Sequence, residues 1–243
     1  MQNYSLLAKY YDHFMDHVAY SSWANFIENL ITKNNLRTEI ILEIAAGTCR
    51  LVESMQNIAY QQYICTDLSL PMLQQSKNSF PKAVVDICHI PFADNSVNMV
   101  LMTYDAFNYL NPEQASQALS EVRRVLQKGG AFIFDVSTEY NSLKWFDDYC
   151  DVLKIDGATI VRESNYDFNL AVQHNNFTFF MPTEEKDIYR QQKEHHVQYV
   201  YSEEMLEDWL CDKGFEVAAK YGDFELGNTK NNTERIHFMA VKP

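Results

Sequence analysis

The sequence contains little glycine. Only 7 of the 243 residues are glycine, and the stretch IILEIAAGTCRL (40–51) holds one of them, Gly47. An apolar run that closes on an acidic residue and a Gly-Thr turn predicts a buried strand leading into a nucleotide-binding loop. Dinucleotide folds need G-x-G-x-x-G at this place, because a pyrophosphate must touch bare backbone at a helix N-terminus. Because these glycines are missing, a NAD-dependent dehydrogenase is the least favoured of the candidate functions.

Positive charge is also scarce. The chain has 20 Lys and Arg against 33 Asp and Glu, a formal net charge of -13 and a pI near 4.9. Sequence-independent binding of nucleic acid requires a basic surface that neutralises phosphates. The composition therefore disfavours nucleic acid as a partner and favours a small-molecule substrate.

Paired cysteines and long apolar runs are missing too. The cysteines are odd in number and show no C-x-x-C spacing, which suggests neither a disulfide framework nor a structural zinc site. The N-terminal MQNYSLLAKYYDHFMDH lacks the features of a signal peptide, and no segment approaches the length of a membrane span. We expect a cytoplasmic protein in a reducing compartment. The five cysteines are Cys49, Cys65, Cys88, Cys150 and Cys211.

Strand-like and helix-like segments alternate over the first 136 residues. A helix with apolar residues from Trp23 to Ile31 precedes the first strand, Ile40–Ile44. Ser69 is the predicted N-cap of the helix after the second strand, and another helix runs from Pro112 to about Leu126. The other predicted strands are QYICTD, AVVDIC, NMVLMTY and AFIFDV, the last after a turn at 128–130. Five such β/α units predict an α/β fold with a doubly wound, mostly parallel sheet.

The residue pattern changes between Cys150 and Tyr201. The runs ATIVRESNYDF, NNFTFFM and HHVQYVY alternate in polarity and predict antiparallel strands inserted after strand five. The amphipathic helix EEMLEDWLCDKGF follows, with Gly214 near its C-cap. VAAKY and IHFMAV are predicted to pair as edge strands.

Three acidic residues lie at successive strand ends. They are Glu43, Asp67 and Asp86. A single strand-terminal acid is usually a turn or helix cap, but ligands of open α/β sheets bind outside the carboxyl ends of the strands. Carboxylates there can accept ribose hydroxyls, approach an adenine edge and hold an ammonium group. The pattern indicates an adenosine that carries positive charge and no phosphate.

The same residues resemble a known family. ILEIAAGTCRL, TDLSLPML, the pair Asp86-Ile87 and LQKGGAFIFDV are similar to the successive motifs of class I S-adenosylmethionine-dependent methyltransferases. AKYYDHFM, TYDAFNYL, NNFTFF, HHVQYVYSEEM and TERIHFMAV resemble a group of small bacterial methyltransferases with a β-rich insertion. The resemblance implies a seven-stranded, Rossmann-like sheet and one domain over residues 1–243. Its predicted parts are an N-terminal helical cover (1–35), a cofactor-binding core (36–149), a β-rich lid (150–201) and a C-terminal helix with two strands (202–243).

The glycine-loop pattern of this family is D/E-x-G-x-G-x-G. This sequence has Ala45, Gly47 and Cys49 at the three glycine positions. Because S-adenosylmethionine has no pyrophosphate, only the point of closest backbone approach must lack a side chain, and Gly47 keeps that place. Ala45 adds one methyl group, which is tolerable if its φ is negative. The alternatives are a plain turn glycine and a degenerate loop.

The resemblance also implies which residues hold the cofactor. Asp67 is expected to hold the ribose hydroxyls, Leu68 to pack near the adenine, and Asp86 with Ile87 to face the adenine edge. Glu43 would hold the loop and a nearby ammonium group. The remaining candidates cover the methionine part: Tyr104, Tyr11, Tyr20 and Trp23. Trp23 has core packing of the first helix as its alternative.

The candidate catalytic residues follow strand four. TYDAFNYL supplies polar atoms at Asp105, Asn108 and Tyr109, where Asn108 has capping of the next helix as an alternative. The segment has no N-P-P-Y motif and no cysteine for covalent attack, and both absences weigh against nucleic-acid modification.

The predicted lid supplies further candidates. His196 is the favoured base or orienting group, because adjacent His195 points to the opposite face of a strand. A structural or exposed histidine is its alternative. His174 and Arg235 match residues of the resembling group, with a surface ion pair as the alternative for Arg235. At Tyr199 that group commonly has arginine, which suggests a less anionic substrate here.

These observations favour one function and leave two others open. We expect an S-adenosylmethionine-dependent enzyme that methylates N or O of a small molecule and releases S-adenosylhomocysteine. The alternatives are a macromolecule methyltransferase acting on RNA or protein, and a non-catalytic cofactor-binding protein. We expect a monomer or homodimer without a metal.

Overall fold

The computed structural model describes residues 4–185 and 187–243. Met1–Asn3 of the predicted N-terminal cover and Lys186 of the predicted lid lie outside the described residues. Two sheets form, one of seven strands and one of four. The strands are β1 (Ile40–Glu43), β2 (Gln62–Asp67), β3 (Lys82–Val84), β4 (Val97–Met102), β5 (Leu126–Ser137), β6 (Tyr149–Ile155), β7 (Ala158–Asp167), β8 (Val172–Pro182), β9 (Tyr189–Tyr199), β10 (Glu216–Gly222) and β11 (Arg235–Val241).

Seven α-helices accompany these strands in the described residues. Ser69 accepts a hydrogen bond from the N–H of Met72 as N-cap of α4, and Asn111 forms a capping box with Gln114 at the start of α5. The helices are α1 (Tyr11–Phe14), α2 (Tyr20–Lys33), α3 (Arg50–Ser54), α4 (Leu70–Gln75), α5 (Pro112–Val125), α6 (Glu139–Trp145) and α7 (Glu203–Asp212), and short 3-10 helices span Leu7–Tyr10 and Ala106–Tyr109.

The large sheet has the order β10-β11-β5-β4-β1-β2-β3. Strands β1 to β5 are parallel, and β11 pairs antiparallel with both β5 and β10. The chain therefore reverses its direction of winding between β1 and β4, and the carboxyl ends of these strands open a crevice there. The predicted seven-stranded, doubly wound sheet is confirmed.

Both faces of this sheet are covered by helices. Leu42, Val100 and Phe132 pack in one core with α5 and α7. Ile41 and Met99, each one residue earlier, pack in a second core with α2 and α3. Successive strand residues point to opposite faces, so continuous apolar strands are required when helices lie on both sides.

The four-stranded sheet, here called the lid sheet, is antiparallel with the order β6-β7-β8-β9. Its inner face packs on residues 4–10, the N-terminal segment, because Leu7 and Tyr10 are buried against Ile160, Phe177 and Phe179. Burial of an apolar side chain of this size contributes about 1.5–3 kcal/mol. The predicted antiparallel insertion is present, with four strands where the sequence suggested three.

Two predicted element boundaries are wrong. Strand β3 ends at Val84, two residues before Asp86, which lies in the following loop. Strand β5 begins at Leu126 and runs through the predicted turn. There the N–H of Gly129 (φ +77) donates a hydrogen bond to the Lys242 carbonyl, and the Lys242 N–H donates one to the carbonyl of Gly130.

No helix within the described parts of the chain is long and apolar enough to cross a membrane.

Candidate functional site

A cavity of about 300 Å³ lies at the carboxyl ends of β1, β2 and β4. Its walls come from the loops after these strands, from the loop after β3 and from the N-terminal segment. A smaller cavity of about 30 Å³ adjoins it and shares Tyr11, Gly47 and Tyr104 with it. The predicted residues that line the main cavity are Tyr11, Ala45, Gly47, Asp67, Leu68, Asp86, Ile87, Tyr104 and Tyr109, and Glu43 and Tyr20 line the smaller one.

The loop after β1 has a left-handed backbone at three positions. The φ angles are +54° at Ala45, +59° at Gly47 and +60° at Cys49, the N-cap of α3. The negative φ that we required for Ala45 is therefore absent, and its methyl group costs roughly 1–2 kcal/mol relative to the right-handed conformation. A Cβ on Gly47 would lie 3.2 Å from Cε of Met72 and 3.9 Å from Cε1 of Tyr11. Gly47 thus lines the cavity at a point where a side chain would crowd Met72 and Tyr11.

Asp67 joins the two loops at the end of β2. Its Oδ2 accepts a hydrogen bond from Gly47 N–H at 2.8 Å, and its Oδ1 accepts one from Ser69 N–H at 2.7 Å. Burial raises the pKa of Asp67, and the two backbone hydrogen bonds oppose this rise. Each carboxylate oxygen keeps a second lone pair. Both hydroxyls of a ribose in the cavity could therefore be accepted.

The two residues after β3 differ in exposure. The Ile87 side chain is buried at the cavity wall. Asp86 is about half exposed, and its carboxylate accepts a hydrogen bond from Cys88 N–H at 2.9 Å and lies 3.3 Å from Nδ1 of His89. Leu68, across the cavity, is 55% exposed. This end of the cavity is apolar at its walls and acidic at its rim.

Glu43 is buried at the other end. Its carboxylate accepts a hydrogen bond from the Tyr63 hydroxyl at 2.9 Å, and its pKa is raised to about 8 because burial disfavours the charged form. The smaller cavity lies between Glu43 and the rings of Tyr11, Tyr20 and Tyr104. A carboxyl group and aromatic faces around one small space suit an ammonium or a sulfonium group.

Tyr104 connects this aromatic group to the core. Its ring lies 4.3 Å from that of Trp23 and 5.4 Å from that of Tyr20. Its hydroxyl is buried and has no hydrogen-bond partner among the described residues. Trp23 itself is buried and lines neither cavity, so the structure places it behind Tyr104, as its core-packing alternative expected.

Arg235 is held inside the protein by two carboxylates. It forms ion pairs with Asp135 and, at 2.7 Å, with Asp105, and its guanidinium lies 5.2 Å from the Trp23 ring. Asp105 also accepts a hydrogen bond from Nε2 of Gln198 at 2.6 Å. The ion pair considered from the sequence is therefore present, but the Arg235 side chain is only 21% exposed and the pair does not lie on the surface. Neither Arg235 nor Asp105 lines the described cavities.

Asn108 is a structural connector in this fold. Its side chain exchanges hydrogen bonds with the backbone of Ser137 and donates to the carbonyl of Tyr199 at 2.8 Å. It joins the end of β5 to the end of the lid sheet. The N-cap of α5 is Asn111, so capping by Asn108 is wrong.

The two faces of β9 separate the histidines. His196 is buried, with Nδ1 3.2 Å from the hydroxyl of Tyr109. His195 lies on the outer face together with His174, and the His195 Nε2 is 3.1 Å from the His174 Nδ1. The structure therefore brings His196 beside the cavity wall and does not bring His174 there. Tyr199 stacks on Tyr201.

Sequence reasoning missed several residues at this site. Tyr4 lines the main cavity, and its hydroxyl donates a hydrogen bond to that of Tyr109 at 2.7 Å. Glu194 and Gln198 are buried on the inner face of β9. Their alternation with His196 was visible in EHHVQ, but a polar alternation looks the same whether it faces solvent or a buried network.

The residues present fit S-adenosylmethionine. Gly47 leaves the backbone bare at the cavity wall, Asp67 has free acceptor capacity, and the buried Tyr104 hydroxyl lacks a partner within the described chain. Among the described residues, neither cavity is lined by lysine or arginine. A ligand with polyphosphate would meet no compensating charge there.

Comparisons with known proteins point the same way. Residues 42–134 match a family model described as "Methyltransferase domain". A curated protein of Geobacillus sp. (strain WCH70) named "Putative methyltransferase" is 26% identical over 251 residues, covering 98% of this chain and 99% of that protein. A crystal structure of an S-adenosylmethionine-dependent methyltransferase from Clostridium acetobutylicum has a TM-score of 0.81 at 22% identity, covering 96% and 98% of the two chains. An amino pentose methyltransferase from Micromonospora echinaspora, bound to the cofactor, has a TM-score of 0.71 at 13% identity over 100% of both chains.

The fold is thus that of class I S-adenosylmethionine-dependent methyltransferases, and residues 42–134 match a methyltransferase domain. The methyltransferase match makes the chain an enzyme, and the residues of the cavity fit S-adenosyl-L-methionine as its cofactor.

Proposed function

We propose that the enzyme transfers the methyl group to a nitrogen or oxygen atom of a small-molecule acceptor. The observation that carries this proposal is the wall of the two cavities, which has carboxylates, tyrosines and apolar side chains but no lysine or arginine among the described residues. An anionic acceptor would need such a cation to offset its desolvation. A neutral or cationic acceptor fits better.

The cofactor is held from both ends in this proposal. Asp67 accepts the ribose hydroxyls, and Ile87, Leu68 and Asp86 enclose the adenine. Glu43 faces the ammonium group of the methionine part, with the rings of Tyr11, Tyr20 and Tyr104 around it. The bound cofactor supplies an electrophilic methyl group on a sulfonium. The enzyme contributes alignment of the acceptor and exclusion of water.

The N-terminal segment would provide that exclusion. Tyr4 and Tyr11 cover the main cavity, and Thr48 of the loop after β1 donates a hydrogen bond to Asp12 at 2.7 Å. The Oγ of Ser69 lies 3.4 Å from the carbonyl of Tyr4. These contacts would hold the N-terminal segment and the adjoining helix α1 over both cofactor loops.

A small acceptor is also supported by the structural likeness to the amino pentose methyltransferase, whose name states a small substrate. The net charge of -13 weighs against the macromolecular alternative, because RNA would require a basic surface. We further propose a cytoplasmic monomer or homodimer, in keeping with five free cysteines.

Calorimetry with S-adenosylhomocysteine tests the cofactor site. Asp67→Ala removes two acceptor atoms and should weaken binding by about 1.5–3 kcal/mol, roughly tenfold to more than a hundredfold. Asp208→Ala, an exposed acid on α7, is the matched control and should bind normally. Equal affinity of Asp67→Ala and wild type would contradict the assigned role of Asp67.

A labelling experiment tests the acceptor class. The enzyme is incubated with cofactor that carries a deuterated methyl group and with either the small-molecule or the macromolecular fraction of a cell extract. We expect the label in small molecules, detected by mass spectrometry, and less label with Asp67→Ala when the cofactor concentration is near the wild-type Kd. Label confined to RNA or protein would contradict the proposal.

A further inference from the structure

Three polar side chains alternate on the buried face of β9. Glu194, His196 and Gln198 are 4%, 1% and 7% exposed. Burial of a polar or charged group is costly unless it is hydrogen-bonded. The side chain of Gln198 is hydrogen-bonded to Asp105 and to the polar side chains of β8. Glu194 and His196 point to the N-terminal segment and the main cavity.

Glu194 accepts three hydrogen bonds from the N-terminal segment. Its Oε1 accepts hydrogen bonds from the Ser5 hydroxyl and from Leu6 N–H, both at 2.7 Å, and its Oε2 accepts one from Leu7 N–H at 3.0 Å. Burial opposes ionisation of Glu194, but hydrogen bonding outweighs it and lowers the pKa to about 2. Glu194 is therefore a fixed carboxylate.

His196 lies between this carboxylate and the cavity wall. Its Nε2 is 3.6 Å from Oε2 of Glu194, and its Nδ1 is 3.2 Å from the hydroxyl of Tyr109. A carboxylate only accepts hydrogen bonds, so the neutral ring is expected to carry its proton on Nε2. Nδ1 is then free to accept the proton of Tyr109. The rings of Tyr4 and Phe177, at 4.6 and 5.2 Å, keep His196 in this orientation.

Tyr109 forms the cavity end of this chain of contacts. Burial raises its pKa, with Asp105 and Glu194 adding to the rise and Tyr4 and Arg162 opposing it. A free phenolate at neutral pH is therefore disfavoured. The Tyr109 hydroxyl can accept another proton only if it donates the one that it carries. Nδ1 of His196, 3.2 Å from this hydroxyl, is placed to accept that proton.

We propose that Tyr109 is the group that accepts the proton of the methyl acceptor, and that Glu194 and His196 are the positioning residues that make this possible. The inference rests on the proposed function and adds that the acceptor atom gives up a proton. As the acceptor atom forms its bond to the methyl carbon, the bond from that carbon to the cofactor sulfur breaks, and S-adenosylhomocysteine is the leaving group. The acceptor's proton moves to the Tyr109 oxygen, and the phenolic proton moves to Nδ1 of His196. The resulting imidazolium faces the Glu194 carboxylate, and its proton passes to water after the product leaves.

The role of Tyr109 is tested by Tyr109→Phe, which removes one hydroxyl and keeps the ring. Loss of proton acceptance should lower the labelling rate of the small-molecule fraction by about 10²- to 10⁴-fold, while the affinity for S-adenosylhomocysteine stays within about twofold. Tyr189→Phe, on the exposed start of β9, is the matched control. An unchanged rate in Tyr109→Phe would overturn the proposal.

The role of Glu194 is tested by NMR on protein with ¹⁵N-labelled histidine. The wild type should show His196 with a protonated Nε2 and an acceptor Nδ1. Glu194→Gln should lose this tautomer preference and lower the labelling rate, with partial recovery in Glu194→Asp. Glu163→Gln makes the same change at an exposed position of the lid sheet and should alter neither.

These measurements separate the two proposals. A wild type that fails to bind S-adenosylhomocysteine would contradict the cofactor site itself. A wild type that binds it but carries the His196 proton on Nδ1 would refute only the relay, because Tyr109 would then have no acceptor for its proton. The NMR readout needs no methyl acceptor.

Discussion

Glu43→Gln should make the enzyme more stable than the wild type as the pH rises. The wild-type carboxyl group is 2% exposed, and burial raises its pKa from 4.5 to about 8. In the unfolded chain it ionises near pH 4.5. Folding at neutral pH must therefore take up a proton, which lowers the free energy of unfolding.

The sign follows from the direction of the shift. Because the folded pKa lies above the unfolded pKa, the contribution of Glu43 to stability is fully present below about pH 4.5 and is lost as the pH rises through about 8. Between about pH 5.5 and about pH 8.5 the loss is on the order of 3 kcal/mol. The amide introduced by Glu43→Gln does not titrate in this range, and its oxygen can still accept the Tyr63 hydrogen bond.

Urea unfolding across this pH range measures the effect. Other groups titrate in the same window, including Asp135, whose pKa burial raises to about 6, so the difference between variant and wild type isolates Glu43. We expect the difference to grow with pH in favour of Glu43→Gln. Glu163→Gln, exposed on the lid sheet, should show no such trend. A difference that is constant with pH would refute the reasoning.

Three further substitutions test the site. Gly47→Val should fold but lose S-adenosylhomocysteine binding in calorimetry, since it adds a branched side chain at φ +59°, whereas Gly227→Val, where a Cβ meets open space, should bind normally. Ala45→Gly should keep its affinity and change the free energy of unfolding by less than about 1 kcal/mol, because relief of the left-handed alanine is offset by unfolded-state entropy. Arg235→Ala leaves Asp135 buried without its ion pair and should cost about 3–5 kcal/mol in thermal unfolding, against less than about 0.5 kcal/mol for exposed Arg190→Ala. An Arg235→Ala protein as stable as the wild type would contradict the ion-pair assignment.

Local signals in the sequence were enough to predict the large sheet. Apolar strands alternate with amphipathic helices, and this pattern has one common solution, a parallel sheet covered on both faces. Asp67 and Gly47 could also be chosen from the sequence, because in such a sheet the loops at the carboxyl ends of the strands converge at the reversal point. Both line the main cavity.

The acceptor side could not be predicted in the same way. Asp105 and Asn108 were chosen as polar residues after strand four, and Arg235 was chosen from the family resemblance. The structure uses each of them to join elements that lie far apart in the sequence. Whether a polar side chain faces a cavity or another side chain depends on how the lid sheet packs on the core. No local periodicity in the sequence specifies that packing.

The sequence by itself therefore determined the doubly wound, mostly parallel sheet and the cofactor loops, because short-range patterns and chain connectivity fix them. Only the tertiary structure decided that Glu194 meets Ser5, Leu6 and Leu7, some 187 residues earlier in the chain, and that His196 meets Tyr109. These contacts depend on docking of the lid sheet against the N-terminal segment through Leu7, Tyr10 and their apolar partners. Burial of apolar surface is non-directional, so the sequence pattern predicts that such faces are covered but not which segment covers them.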